Sequence, residues 1–218
     1  MLRNLFQRAS SEPQRTSRTV LSGPRMPRHS SGWMAMLKHL KEEQGLRVLD
    51  IGPTSPQNIN FITGLGHSLY MADVVHEALS GSWALPATEE GAEPGFDVSG
   101  FFEQNLNFGG REFDVVLLWT TLDYIPNGLI QPLIDHLHTA VKQGGRILAI
   151  FHSKTIGQET SFYRYHLTEG DAIEAQESDP HPIQRAYTNR NIEKLFTRYG
   201  NYRFFLAKDN LYEVIITR

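Results

Sequence analysis

The sequence contains no cysteine. That excludes disulfides, thiolate metal sites and a cysteine nucleophile, and it suits a reducing compartment. No apolar run approaches the ~20 residues that a membrane-spanning helix needs, and no secretory signal is visible. Net charge is nearly absent as well. The 218 residues carry a formal net charge of -3, so composition gives no strong signal for nucleic acid as a partner. Apolar residues at 40% and charged residues at 21% describe one globular domain with a sizeable core.

Acids are almost missing from residues 1–31, which hold six arginines and one glutamate, Glu12; that segment carries +5 and the remainder -8. It is rich in Ser, Arg and Pro, with few large apolar residues after Phe6. A disordered basic tail is predicted, because such a segment cannot bury enough surface to offset its ordering entropy. Its first residues, MLRNLFQRASS, also have the composition of an organelle transit peptide. The expectation is a cytoplasmic protein, with an organelle as the alternative.

Residues 32–218 are predicted to form the domain. SGWMAMLKHLKEEQ is an amphipathic helix that Ser30 or Ser31 can cap, with Trp33, Met36, Leu37 and Leu40 on one face and Gly45 as its stop. Residues 46–73 organise the rest of the domain. Leu46, Val48, Leu49 and Ile51 make a short apolar strand interrupted by Asp50. Gly52 and the turn PTSPQN come next, then helical spacing at Ile59, Phe61, Ile62 and Leu65, closed by Gly66. A second strand from Ser68 to Ala72 ends on Asp73. This is a βαβ unit, whose helix N-terminus presents free N–H groups above the strand ends. Asp73 stands where an acid can bind a ribose hydroxyl pair.

Residues 74–95 read as a short helix and a loop, and residues 96–108, FDVSGFFEQNLNF, as a poor third strand. FDVVLLW is a near-continuous apolar run, as a buried parallel strand should be. TTLDYIP is a loop; GLIQPLIDHLHTAVKQGG is a helix ending at Gly144-Gly145; RILAIFH is a strand closing on His152. Residues 153–187 form an insertion with a hairpin around Glu169-Gly170-Asp171. TNRNIEKLFTRYG is a capped helix, and two strands joined at Asp209-Asn210 complete the chain.

Asp50-Ile51-Gly52, the pattern FDVV…W…GGRILAI and the terminal strand pair together resemble the class I S-adenosylmethionine-dependent methyltransferases. Thr54 and Pro56 stand where that family's motif has its second and third glycines. The resemblance implies a three-layer, Rossmann-like α/β fold, with a mostly parallel seven-stranded sheet and an antiparallel C-terminal strand, Leu211 to Thr217. It implies S-adenosyl-L-methionine as cofactor and a small-molecule or macromolecular methyl acceptor that the sequence does not name. Asp50, Gly52, Ser55, Asn58, Asp73, Glu103 and Trp119 are the cofactor-binding candidates. Asp50 shapes the turn or meets the amino group, and needs hydrogen-bond partners, for which turn N–H groups are available. Ser55, Gln57 and Asn58 open the helix and can replace the missing glycines toward the methionine carboxylate, although capping alone explains Ser55, and Glu103 stands for the adenine-binding acid after the third strand. The loop TTLDYIP replaces the (N/D)PP(Y/F/W) motif of amino-methylating DNA enzymes and argues against that group.

Asp123, Tyr124 and His152 are the catalytic candidates. Helix capping by Asp123 and a structural role for His152 are the plain alternatives to a histidine base. Tyr163, Tyr165 and His166 lie in the insertion, which commonly helps form the substrate lid in this fold. His136 and His138, two apart on one helix, point apart, and no metal is expected. The rival function is a catalytically degenerate member kept for binding or scaffolding. A nicotinamide-dependent oxidoreductase lacks support, since GPTSPQ has no dinucleotide glycine fingerprint.

Overall fold

The computed structural model describes residues 23–53, 55–87, 95–154, 157–206 and 209–218. The elements in order are β1 (Arg25–His29), α1 (Ser31–Glu42), β2 (Arg47–Asp50), α2 (Pro56–Gly64), β3 (Ser68–Met71), α3 (Val74–Ser80), β4 (Ala84–Leu85), β5 (Gly95–Phe96) and α4 (Val98–Asn105). Then come β6 (Phe113–Trp119), α5 (Thr121–Tyr124), α6 (Asn127–Ala140), β7 (Val141–His152), β8 (Glu159–His166), β9 (Ala172–Pro182), α7 (Asn189–Leu195), β10 (Asn201–Leu206) and β11 (Leu211–Thr217).

The central sheet runs β10-β11-β7-β6-β2-β3. Its β3, β2, β6 and β7 are parallel, and β11 lies antiparallel between β7 and β10. This is the expected mixed α/β sheet with the C-terminal strand inserted against the grain. Side-chain alternation along β6 builds both halves of the core. Val116 and Leu118 join α3, α4, α6 and α7 on one face, while Val115, Leu117 and Trp119 join α1, α2 and the insertion on the other.

Among the described residues the sheet has six strands, not seven. The segment read as a third strand is mostly helix. Asp97 caps α4 by accepting from the Gly100 N–H at 3.0 Å, and Phe101 is fully buried beneath it. Helical spacing suited that burial better than period two did. A second difference falls at the end of α6, which stops at Ala140; Val141 is already extended and pairs with Phe113.

The tail reading also needs correction from residue 23 onward; residues 1–22 lie outside the described residues. Arg25–His29 form an edge strand, β1, paired antiparallel with β9, and β9 pairs in turn with β8. Pro27 is tolerated because β1 has a neighbour on one side only. Arg28 anchors it. The guanidinium pairs with Asp209 at 2.7 Å and with Glu213, whose side chain is almost fully buried. Glu213 also accepts from the Gly32 N–H at 2.7 Å, tying the first turn of α1 to β11. A side chain at Gly32 would meet Leu148 Cδ1 at 2.8 Å, so the bare backbone is what lets α1 approach the sheet.

Candidate active site

Parallel strands β2, β3 and β6 end together, so their terminal residues meet at one edge of the sheet. Asp50 ends β2, is 1% exposed, and has two side-chain partners. The indole Nε1–H of Trp119 donates to Oδ1 at 2.6 Å, and Asn58 Nδ2 donates to Oδ2 at 3.1 Å. Among the described residues the partners of this carboxylate are therefore side chains, where the sequence suggested turn N–H groups. Burial pushes its pKa up to about 6, the two hydrogen bonds pull it down, and the nearby Asp73 charge adds to the rise.

Trp119 is the most unusual residue here. Its φ is 49°, a left-handed conformation that bulky side chains rarely adopt. A register shift between Leu117 and Trp119 turns the end of β6. The indole is then held from two sides, by Asp50 and by the Tyr165 ring stacked on it at 4.9 Å. It also covers the glycine turn, since a Cβ added to Gly52 would lie 3.0 Å from Trp119 Cδ1.

Ser55 caps α2, accepting from the Asn58 N–H, and its hydroxyl meets His166 Nδ1 at 2.7 Å. Asn58 reaches past Asp50 to the hairpin, donating to the Tyr165 carbonyl at 2.9 Å and accepting from the Leu167 N–H at 2.8 Å. Gln57 donates to the Leu167 carbonyl at 2.7 Å. The end of β8 is thus bolted to the first turn of α2. Thr54 lies outside the described residues.

Asp73 follows β3 and caps α3, its Oδ1 accepting from the His76 N–H at 3.2 Å. It is half-buried, and burial raises its pKa. Glu103 does not join this group. It lies exposed on α4, the helix that follows the two-residue strand β5.

A second cluster sits at the ends of α5 and β7. Asp123 is 0% exposed, and its Oδ2 lies 2.6 Å from His152 Nδ1 and accepts from the His152 backbone N–H at 2.9 Å. Asp123 lies within α5 and does not cap it. Burial pushes its carboxyl up to about 6, against the pull of His152. Tyr124 stands edge-on to the His152 ring at 6.0 Å, and its hydroxyl bonds Thr160 at 2.7 Å. His136 and His138 bond two different backbone carbonyls, of Leu106 and Arg198. Tyr165 and Leu167, which close the first cluster, had no signal in the linear pattern beyond membership of the insertion.

A family model described as "Methyltransferase domain" matches residues 5–201. The chain belongs to this methyltransferase family, whose methyl donor is S-adenosylmethionine, and the sheet described above is its α/β fold. None of the curated proteins matches the sequence. Similar solved structures include a SAM-dependent methyltransferase from Methanosarcina mazei, at 14% identity and a TM-score of 0.49, covering 84% of this chain and 96% of that one. One from Clostridium acetobutylicum is 12% identical with a TM-score of 0.47, covering 85% and 89%. A magnesium protoporphyrin IX methyltransferase from Synechocystis with bound SAM is 17% identical with a TM-score of 0.45, covering 84% and 76%. At such values it is the family model, not these neighbours, that identifies the chain.

The site fits the two ends of S-adenosylmethionine unequally. A half-buried carboxylate at the end of β3 fits a ribose diol. The methionine end is not matched in this arrangement, because Trp119 fills the space above Gly52 and the polar groups of Ser55 and Asn58 are bonded to the hairpin.

Proposed function

We propose that this methyltransferase holds its donor at the shared edge of β2, β3 and β6, with Asp73 accepting from the ribose hydroxyls. The observation that carries the reading is the position of Asp73. The N–H of Ala72 donates to the Asp50 carbonyl at 3.0 Å, so the residue after it leaves the sheet beside the glycine turn. When bound, S-adenosylmethionine supplies a methyl group already activated by a positively charged sulfur. What the chain has to contribute is orientation and the exclusion of water.

Loading the methionine end requires Trp119 and the β8–β9 hairpin to give way, which makes the insertion a lid. The acceptor, a small molecule or a macromolecule, enters on the hairpin side. No helix among the described residues is long and apolar enough to cross a membrane, and a cytoplasmic location is part of this reading, in keeping with the lack of cysteine.

Calorimetric titration with S-adenosylmethionine tests the proposal on wild type and Asp73→Asn. Asparagine keeps the α3 cap but removes the charge that strengthens hydrogen bonds from a diol, so affinity is expected to fall about tenfold to a hundredfold with an unchanged melt. Equal affinities would remove Asp73 from the site. A folded wild type that takes up no donor would return the chain to the binding-module reading, with the covered turn as its cause.

A further inference from the structure

A cleft of about 510 Å³ opens between β1, the β8–β9 hairpin and the start of β11. Its walls include Met26, Tyr163, Tyr165 and Leu211, and His152 lies at its lining. That volume is in the range of small-molecule sites, which are mostly apolar with a few placed polar groups. Tyr165 also carries the Trp119 stack on its other side, so one aromatic layer separates this cleft from the glycine turn.

The protonation pattern of His152 follows from its contacts. A carboxylate only accepts, so the imidazole Nδ1 at 2.6 Å from Asp123 carries the hydrogen. Nε2 is then the lone-pair nitrogen, and no described residue bonds it. The other carboxylate oxygen, Asp123 Oδ1, is buried with no partner among the described residues. The other charged or titratable groups facing the cleft are Arg28, Tyr163, Tyr165, Glu177 and Asp209.

We propose that this cleft is the acceptor subsite, that it takes an aromatic small molecule bearing a phenolic hydroxyl, and that His152 is a catalytic residue accepting the hydroxyl proton while Asp123 positions it. The acceptor O–H bond breaks, an N–H bond forms at Nε2, the electron pair stays on the phenolic oxygen, and the Asp123 carboxylate balances the imidazolium. Phenol is chosen over alcohol by proton affinity. A phenol ionises near ~10, far more readily than an aliphatic alcohol, so its proton is the one an imidazole can accept. The aromatic and apolar walls suit a flat ring.

The fate of the phenolate rests on the methyltransferase reading, so the test omits the donor. 4-Nitrophenol, whose phenolate has its own absorbance band, is titrated with wild type, His152→Gln and Asp123→Asn near neutral pH. Wild type is expected to lower the apparent pKa of the bound probe by roughly one unit, a tenfold shift of the proton equilibrium. His152→Gln should bind the probe in equilibrium dialysis without the absorbance change, and Asp123→Asn should lose most of that change. Thermal melts establish that each variant is folded; if Asp123→Asn is not, His152→Gln decides alone. No binding by wild type, or an unaltered spectral shift in His152→Gln, overturns the proposal whatever the outcome with S-adenosylmethionine.

Discussion

The indole Nε1 of Trp119 donates to Asp50 Oδ1 at 2.6 Å, joining the ends of two parallel strands across 69 positions of sequence. The bond satisfies a buried carboxylate and fixes a strained tryptophan over the glycine turn. Stability and access to the turn are therefore set by the same contact.

Asp50 makes stability depend on pH. Its folded pKa, about 6 against 3.8, means that the folded state binds the proton more readily than the unfolded chain. The stabilisation it contributes is complete below the unfolded value and is lost as pH rises through about 6. A shift of this size corresponds to roughly 2–3 kcal/mol. Asp123 acts in the same direction. Melting temperatures of wild type should fall between pH 4.5 and 7, and Asp50→Asn should flatten that fall. Parallel curves for the two proteins would refute this origin.

Gly52 and Trp119 should be energetically coupled. Alanine at 52 places its Cβ 3.0 Å from Trp119 Cδ1, and overpacking of this kind costs about 1–3 kcal/mol. In a Trp119→Leu background the penalty should shrink. Urea midpoints of the four proteins measure the coupling; additive effects would show that the indole does not occupy this space.

Asn58 fastens the hairpin. Asn58→Ala removes the acceptor of the Leu167 N–H and one partner of Asp50. Hydrogen exchange at the Leu167 amide should quicken about twofold to tenfold, from the loss of roughly 0.5–1.5 kcal/mol of hydrogen bonding, while amides of β6 keep their protection. Unchanged exchange at Leu167 would mean that the hairpin is held by something else.

Arg28 keeps a buried acid neutralised. Arg28→Ala leaves Glu213 nearly sealed from water beside the Gly32 N–H, and breaking a buried pair on one side costs about 3–5 kcal/mol. Glu213→Gln in the same chain should recover part of the loss. A denaturation midpoint unmoved by Arg28→Ala would contradict the pairing.

The sequence was most legible where burial imposed a simple period. FDVVLLW and RILAIFH are closed in on both faces and read as apolar runs, and the tight turn at Asp209-Asn210, with the family resemblance, pointed to the antiparallel strand. The strand, glycine turn, helix and second strand of residues 46–72 were local enough to read from pattern. Residues 96–108 were misread because Phe96, Phe101 and Phe102 satisfy either period until Asp97 is known to cap a helix. β1 was missed because Arg and Pro are ordinary in disorder, while Arg28 acquires a buried partner 185 positions away. Asp123 and His152 were each named as candidates, but their pairing depends on α5 and the end of β7 coming together across 29 positions. The commitment of Ser55 and Asn58 to the hairpin, 111 and 107 positions on, follows from no local pattern at all.

The edge strand β1 has a consequence for synthesis. Arg25 meets Glu174 across 149 positions, so this early segment cannot find its partner until β9 has been made. At about 5–20 residues per second that is roughly 7–30 s, during which α1, β2 and α2 can form while β1 and the acids Asp209 and Glu213 await one another. Contacts of such sequence separation form late. The three-stranded sheet that walls the cleft is therefore expected to assemble well after the α1, β2 and α2 segments that follow β1 in sequence.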